Sequence, residues 1–195
     1  MKVFQYRPLE GVGDVYVDDR GISDAEYKKN RNVLTFSEKE KIGTKWIELP
    51  VYIDYVDEFS GAKLATSDIP SSCDQLLCFR EHAKDLLETF VKPYGEFLPL
   101  RCEEQKLYVL NVFNVVDCLD LEKSEIRFRE ELDMSDPEPS IKKHVFDEGK
   151  ILSNALFRLP YKNVTRVYFT ESFINEIEKH QLTGFNYRAV WSSEG

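Results

Sequence analysis

At 195 residues the chain is long enough for one sizeable domain or two small units sharing a core. Its 13 Phe and 10 Tyr exclude an intrinsically disordered polymer, which cannot bury enough apolar surface to offset ordering entropy. A formal net charge of -9 repels phosphate backbones, which argues against a DNA or RNA partner and suits a basic protein partner.

The amino-terminal stretch Met1-Lys2-Val3-Phe4-Gln5-Tyr6 has no apolar run of signal-peptide length, and no later segment is apolar for long enough to span a bilayer. The expectation is a cytoplasmic protein with no membrane partner. Residues 2–6 and 14–17 alternate weakly and predict short strands around a turn at Gly11-Val12-Gly13. That glycine pair lacks the third glycine and the following helix of a dinucleotide loop. Ser23-Asp24-Ala25-Glu26 and Ser37-Glu38-Lys39-Glu40 have capping-box spacing and predict one or two helical turns each. Residues 45–58, centred on Trp46, Ile47, Val51, Ile53 and Tyr55, predict one or two strands broken near Pro50.

An internal repeat is the clearest organisation. Phe79-Arg80-Glu81 leads into a helical stretch with Leu86, Leu87 and Glu88, then Gly95 and Phe97-Leu98-Pro99-Leu100. Phe169-Thr170-Glu171 leads likewise into Phe173, Ile174, Ile177 and Glu178, then Gly184 and the alternating Phe185, Tyr187, Ala189 and Trp191. Each copy predicts a strand, a helix with Glu in its positive first turn, a left-handed glycine cap, and a second strand. Between them, residues 107–116 are apolar on both alternating faces and predict a central, doubly covered strand. Ile126 and Phe128 alternate with Arg127 and Arg129 as a half-buried strand, an acidic proline-bearing loop follows at 133–139, and strands are expected near 154–159 and 164–169. The fold class is α+β, with mostly antiparallel sheets, a few helices on one side, and two related strand-helix-strand lobes at residues 1–104 and 105–195 forming one compact unit.

No catalytic constellation emerges. His82 and His180 fall in predicted helices, and with His144 they read as solvated or capping residues rather than bases. Cys73, Cys78, Cys102 and Cys118 lack paired zinc spacing, even with His82 beside the first two, and read as buried reduced thiols. Asp117 and Asp120 follow the central strand, where carboxylates sometimes hold Mg²⁺, but turn formation is the simpler reading. Glu81 and Glu171 are explained by the helix dipole. No cofactor and no metal site is expected. Tyr52, Tyr55, Tyr94, Tyr108, Tyr161, Tyr168 and Tyr187 suit a core or an interface equally by type, with core as the default.

The ordered pieces Tyr108-Val109-Leu110-Asn111-Val112, Asp117-Cys118-Leu119-Asp120, Leu156-Phe157-Arg158-Leu159, and the stretch from Val167 to Trp191 with Thr170-Glu171, Phe173 and Leu182-Thr183-Gly184-Phe185 resemble one family. It is the bacterial immunity-protein family numbered eleven among those of polymorphic toxin systems, formerly a domain of unknown function. The resemblance covers the C-terminal half. Thr170 stands where the family usually has Ser, a change that keeps a cap. The resemblance implies a non-enzymatic antitoxin that binds a cognate toxin encoded by the adjacent gene. Such toxins are often nucleases, although ADP-ribosylating domains also occur. Occlusion of the toxin active site by an acidic surface is the expected mechanism, with Asp18, Asp19, Asp133, Asp136 and Glu138 as candidate contacts. The alternatives are a small-molecule-modifying enzyme or an adaptor module, the latter a homodimer through a sheet edge.

Overall fold

The computed structural model describes residues 1–18, 23, 25, 39–72, 76–127, 140–161 and 166–194, and the statements below concern these. Eleven strands and three α-helices are seen among them. The strands are β1 (Lys2–Tyr6), β2 (Asp14–Val17), β3 (Val51–Asp54), β4 (Cys78–Arg80), β5 (Gly95–Leu100), β6 (Leu107–Val112), β7 (Glu125–Arg127), β8 (Ser140–Lys143), β9 (Leu156–Phe157), β10 (Tyr168–Thr170) and β11 (Tyr187–Ser192). The helices are α1 (Glu81–Val91), α2 (Glu148–Ile151) and α3 (Glu171–Lys179), and Gly43–Lys45 forms one 3-10 turn.

The two strand-helix-strand units are present as β4-α1-β5 and β10-α3-β11. In each, a third strand inserts between the two and runs antiparallel to both. β6 fills that place in the order β4-β6-β5, and β1 fills it in the order β11-β1-β10-β9. Sheet membership is therefore interleaved across residue 104. The overall class is α+β with antiparallel pairing throughout the named strands.

Period-two alternation divides each sheet between two cores. Phe79, Leu110 and Val112 from one sheet, and Phe4, Tyr6, Leu156 and Phe169 from the other, pack on Leu87, Val91, Phe173 and Ile177 of the helices. The helices themselves meet through Phe90 and Phe173, whose ring centroids lie 6.2 Å apart. On the outer face of the first sheet, Cys78, Leu98 and Val109 bury Val15, Val51 and Ile53 of the β2–β3 ribbon. On the outer face of the second, Val3, Phe157 and Tyr168 bury Phe146 and Ile151, with Ile126 and Ile141 of the β7–β8 ribbon packed alongside. Each unit thus has a helix inside and a two-stranded ribbon outside.

Several expectations change. The Gly11-Val12-Gly13 segment does not close a hairpin between the strands that flank it. β1 joins β10 and β11, whereas β2 pairs with β3, because Phe4 and Tyr6 complete the inner core while Val15 belongs to the outer one. Of the one or two strands expected over 45–58, one forms, and it begins after Pro50 as expected. β6 is central and buried on both faces, as its composition predicts, but it ends at Val112, and Val115 is exposed. Neither glycine acts as the expected helix cap. Gln181 takes the left-handed conformation after α3 (φ 54°), and Gly95 begins β5 under the Asn111 carbonyl. Thr170 occupies the N-cap position of α3, but its hydroxyl donates to the Asn154 carbonyl at 3.4 Å instead of capping. Both predicted capping boxes lie at least partly outside the described residues.

Candidate functional site

The described segments near residues 8–16 and 54–64 build an open groove of about 490 Å³. Its walls are two backbone excursions clamped together. Gly13 N–H donates to the Ala65 carbonyl, Ala65 N–H donates to Gly11, Val15 N–H donates to Ser71, and Ser71 N–H donates to Gly13 (all 2.9–3.0 Å). The second wall is a hairpin in which Asp57 N–H donates to Ala62 and Leu64 N–H donates to Tyr55, each at 2.8 Å. At its tip the Asp57 carboxylate accepts the Ser60 hydroxyl (2.6 Å) and amide (2.7 Å). Those bonds hold the Asp57 carboxyl below its usual range, so it stays ionised. This turn pushes Phe59 almost wholly into solvent, at 96% exposure.

Glu10, Asp14, Asp54, Asp57 and Glu58 line the groove, and among the described residues no Lys or Arg does. Asp14 and Asp54 are directly opposite partners in the β2–β3 register, an arrangement in which like charges repel. Next along the same outer face, Tyr16 and Tyr52 stack with centroids 5.5 Å apart. Asp18 continues that alternation just past the end of β2, where its N–H donates to the Pro50 carbonyl. The result is an acidic surface that carries the half-buried Tyr16, the partly exposed Tyr52 and the exposed Phe59.

Of the residues singled out from sequence, Asp18 therefore lies on the ribbon that carries the groove. Asp19, Asp133, Asp136 and Glu138 lie outside the described residues. Glu10, Asp54, Asp57, Glu58 and Phe59 were not foreseen, because only the pairing of distant loops brings them together. The local Asp-x-x-Ser-Gly signature of a tight turn at 57–61 was the one available clue.

The other candidates are accounted for singly. Asp120 is a turn former: its carboxylate accepts the amides of Glu122 and Lys123 at 3.1 Å and pairs with the Lys123 ammonium at 2.8 Å. Glu81 pairs with Lys106 at 2.6 Å, while Glu171 accepts the Lys2 amide at 3.1 Å, each in the first turn of its helix. Cys78 and Cys118 are buried, Cys102 is half-buried, and Cys73 is outside the described residues. Burial pushes the Cys118 thiol up to about 12. Lys39, pulled down to about 8 by burial and by nearby Arg158, donates to the carbonyls of Leu159 and Tyr161. Among the described residues no three His, Cys, Asp or Glu side chains gather closely enough to hold a metal ion.

The histidines divide. His82 is exposed on α1, and His180 caps α3 with Nε2 3.1 Å from Glu176. His144 departs from the solvated or capping role: it is buried, stacks on Phe146, and sits 3.2 Å from the Tyr168 hydroxyl. Burial, reinforced by Arg188 and Arg166, pulls its imidazole down from an ordinary 6.5 to about 4. The unfolded chain therefore takes up this proton first. Stability from His144 is whole above about pH 6.5 and is lost as pH falls toward 4, on the order of 2–3 kcal/mol. Urea midpoints measured across that window should fall less steeply for His144→Gln than for the parent; equal slopes would refute the assignment.

No helix among the described residues is long and apolar enough to cross a membrane. No curated protein matches the chain significantly. The family model described as Immunity protein family (Imm11) matches residues 101–192, just under half of the chain. The resemblance carried by the pieces from Tyr108 to Trp191 is thereby borne out.

Proposed function

We propose, from the premise that residues 101–192 match the immunity protein family, that the chain is an antitoxin that binds and neutralises one cognate toxin domain. That match is the observation that carries the reading. The toxin is a basic domain of the nuclease class, encoded by the adjacent gene, and the encounter takes place in the cytoplasm of the producing cell. A net charge of -9 steers the two proteins together, and burial of exposed rings against the toxin holds them. Inhibition is by covering the toxin active site, without chemistry on the part of this chain. Asp18, Asp19, Asp133, Asp136 and Glu138 remain contacts of this reading, with the groove carboxylates added to them.

Co-expression with the toxin domain of the adjacent gene tests the proposal. The expected result is restored growth and a complex that survives purification. Continued toxicity with no complex would sink it.

A further inference from the structure

We infer that one of the contacts holding the toxin runs through the main chain: an extended toxin segment adds to the open edge of β11 and bonds the outward N–H and carbonyl of Ala189. The inference rests on the reading of the chain as an immunity protein. It adds a place of contact and the chemistry by which the partner is bound there.

Edge coverage supplies the first argument. An open strand edge presents unpaired N–H and carbonyl groups, and the chain covers most of its own edges. At the end of β4, Arg80 N–H donates to the Asp68 carbonyl at 2.9 Å. Just past β5, Arg101 is bracketed by a parallel segment: its N–H donates to the Leu49 carbonyl at 2.8 Å, and its carbonyl accepts Val51 N–H at 2.9 Å. The Trp46 indole adds a bond to the Pro99 carbonyl at 2.6 Å. Just past β9, Arg158 is bracketed in the same way, donating to the Asn114 carbonyl at 2.8 Å and accepting Val116 N–H at 2.9 Å. Among the described residues β11 is the exception in the two large sheets, because it pairs with β1 alone. Arg188 and Ala189 on it are exposed, and the strand lies within the family-matched segment 101–192.

Backbone direction supplies the second. Arg7 N–H donates to the Asn186 carbonyl at 3.0 Å, so the alternation of an antiparallel ladder turns the backbone of Arg188 toward β1 and that of Tyr187 and Ala189 away. Tyr187 N–H is accordingly taken by Asn186 Oδ1 at 2.9 Å. Ala189 is left with both groups facing out. The internal repeat shows how this position is used elsewhere. Phe79 of β4 faces Tyr108, which faces Pro99, whereas Phe169 of β10 faces Phe4, which faces Ala189. Pro99 and Ala189 are therefore equivalent. The edge covered by the chain itself carries a proline there, with no donor to offer, and the open edge keeps its donor. Both bracketing segments in this protein bond through their backbones, and an added strand is recognised in the same way. A second copy fits this edge poorly. Val190 is skipped in the register, which interrupts the ladder after Ala189. Pairing β11 with its own copy about Ala189 would also set two Arg188 side chains on one face as diagonal neighbours.

The test uses the full chain and the toxin domain encoded by the adjacent gene. Amide exchange read by NMR should be fast at Ala189 in the free chain and at least about tenfold slower in the complex. Ala189→Pro removes the outward donor where an edge strand tolerates proline, so its urea midpoint should stay close to that of the parent. Its complex should dissociate about tenfold faster. Ala189→Ser keeps the amide and should dissociate within about threefold of the parent. An Ala189 amide that exchanges equally fast in the free chain and in the complex overturns this inference and leaves the antitoxin reading standing, whether or not Ala189→Pro folds. Parent-like dissociation of a folded Ala189→Pro does the same. Sedimentation of the chain alone should give a monomer; a dimer abolished by Ala189→Pro would assign the edge to a second copy and overturn the toxin as its occupant. A parent that does not bind the toxin domain overturns both readings.

Discussion

Alanine at position 184 will lower the stability of the protein by about 3 kcal/mol or more, read as a shift in the urea midpoint at unchanged slope. Gly184 has φ +90°, a conformation that an L side chain adopts only at a cost of about 1–2 kcal/mol. A Cβ there would lie 2.2 Å from the Ile69 carbonyl oxygen and 2.6 Å from Ser67 Cβ. The carbonyl has no room to retreat. Ile69 N–H donates to the Thr183 carbonyl at 3.0 Å, and Asp68 accepts both Thr183 donors, so the 67–69 segment is strapped onto the turn after α3. Relieving the clash means breaking that strap. A midpoint unchanged within error would show that the two segments do not touch as described.

Phe169→Ala should be as damaging, by about 3–5 kcal/mol. Phe169 is fully buried in the core that both helices and both large sheets share. Its ring lies 6.1 Å from Phe4, 5.6 Å from Phe173, 5.2 Å from Phe185 and 6.1 Å from Tyr187 between centroids. Truncation removes the transfer energy of the ring and leaves a cavity that four aromatic neighbours cannot collapse to fill. Because β1 contributes Phe4 and β11 contributes Tyr187, the loss also loosens the pairing that brings the chain ends together. Phe169→Leu, which refills part of the space, should recover more than half of the deficit in the same denaturation experiment; a deficit equal to that of alanine would contradict the packing argument.

The contrast between what the sequence shows and what it hides follows from contact range. Alternation exposes β1, β2 and β6 because a strand with one or two buried faces writes its burial into every second residue. The helices at 81 and 171 are visible because Glu in the first turn and apolar side chains at helical spacing are local signals. The insertion of β1 between β10 and β11 pairs Val3 with Thr170, and nothing near either residue announces the other. The groove is hidden for the same reason, since Glu10 and Glu58 come to line it together only when the 11–15 and 65–71 segments bond. Tyr168 and Tyr52 carry the same side chain, one fully buried and one exposed, and their difference is decided by which layer covers them. His144 shows the limit in the other direction: an imidazole reads as polar in sequence, but here two aromatic neighbours, Phe146 and Tyr168, take it into the core.

Stoichiometry distinguishes a blocking antitoxin from an enzyme most directly. The measurement is a titration of toxin catalytic activity with increasing amounts of the purified protein, at concentrations far above the dissociation constant. Occlusion by a binder predicts a linear loss of activity that reaches zero at one equivalent. Inactivation of many toxin molecules by each molecule of this protein, or full toxin activity in its excess, would contradict the account.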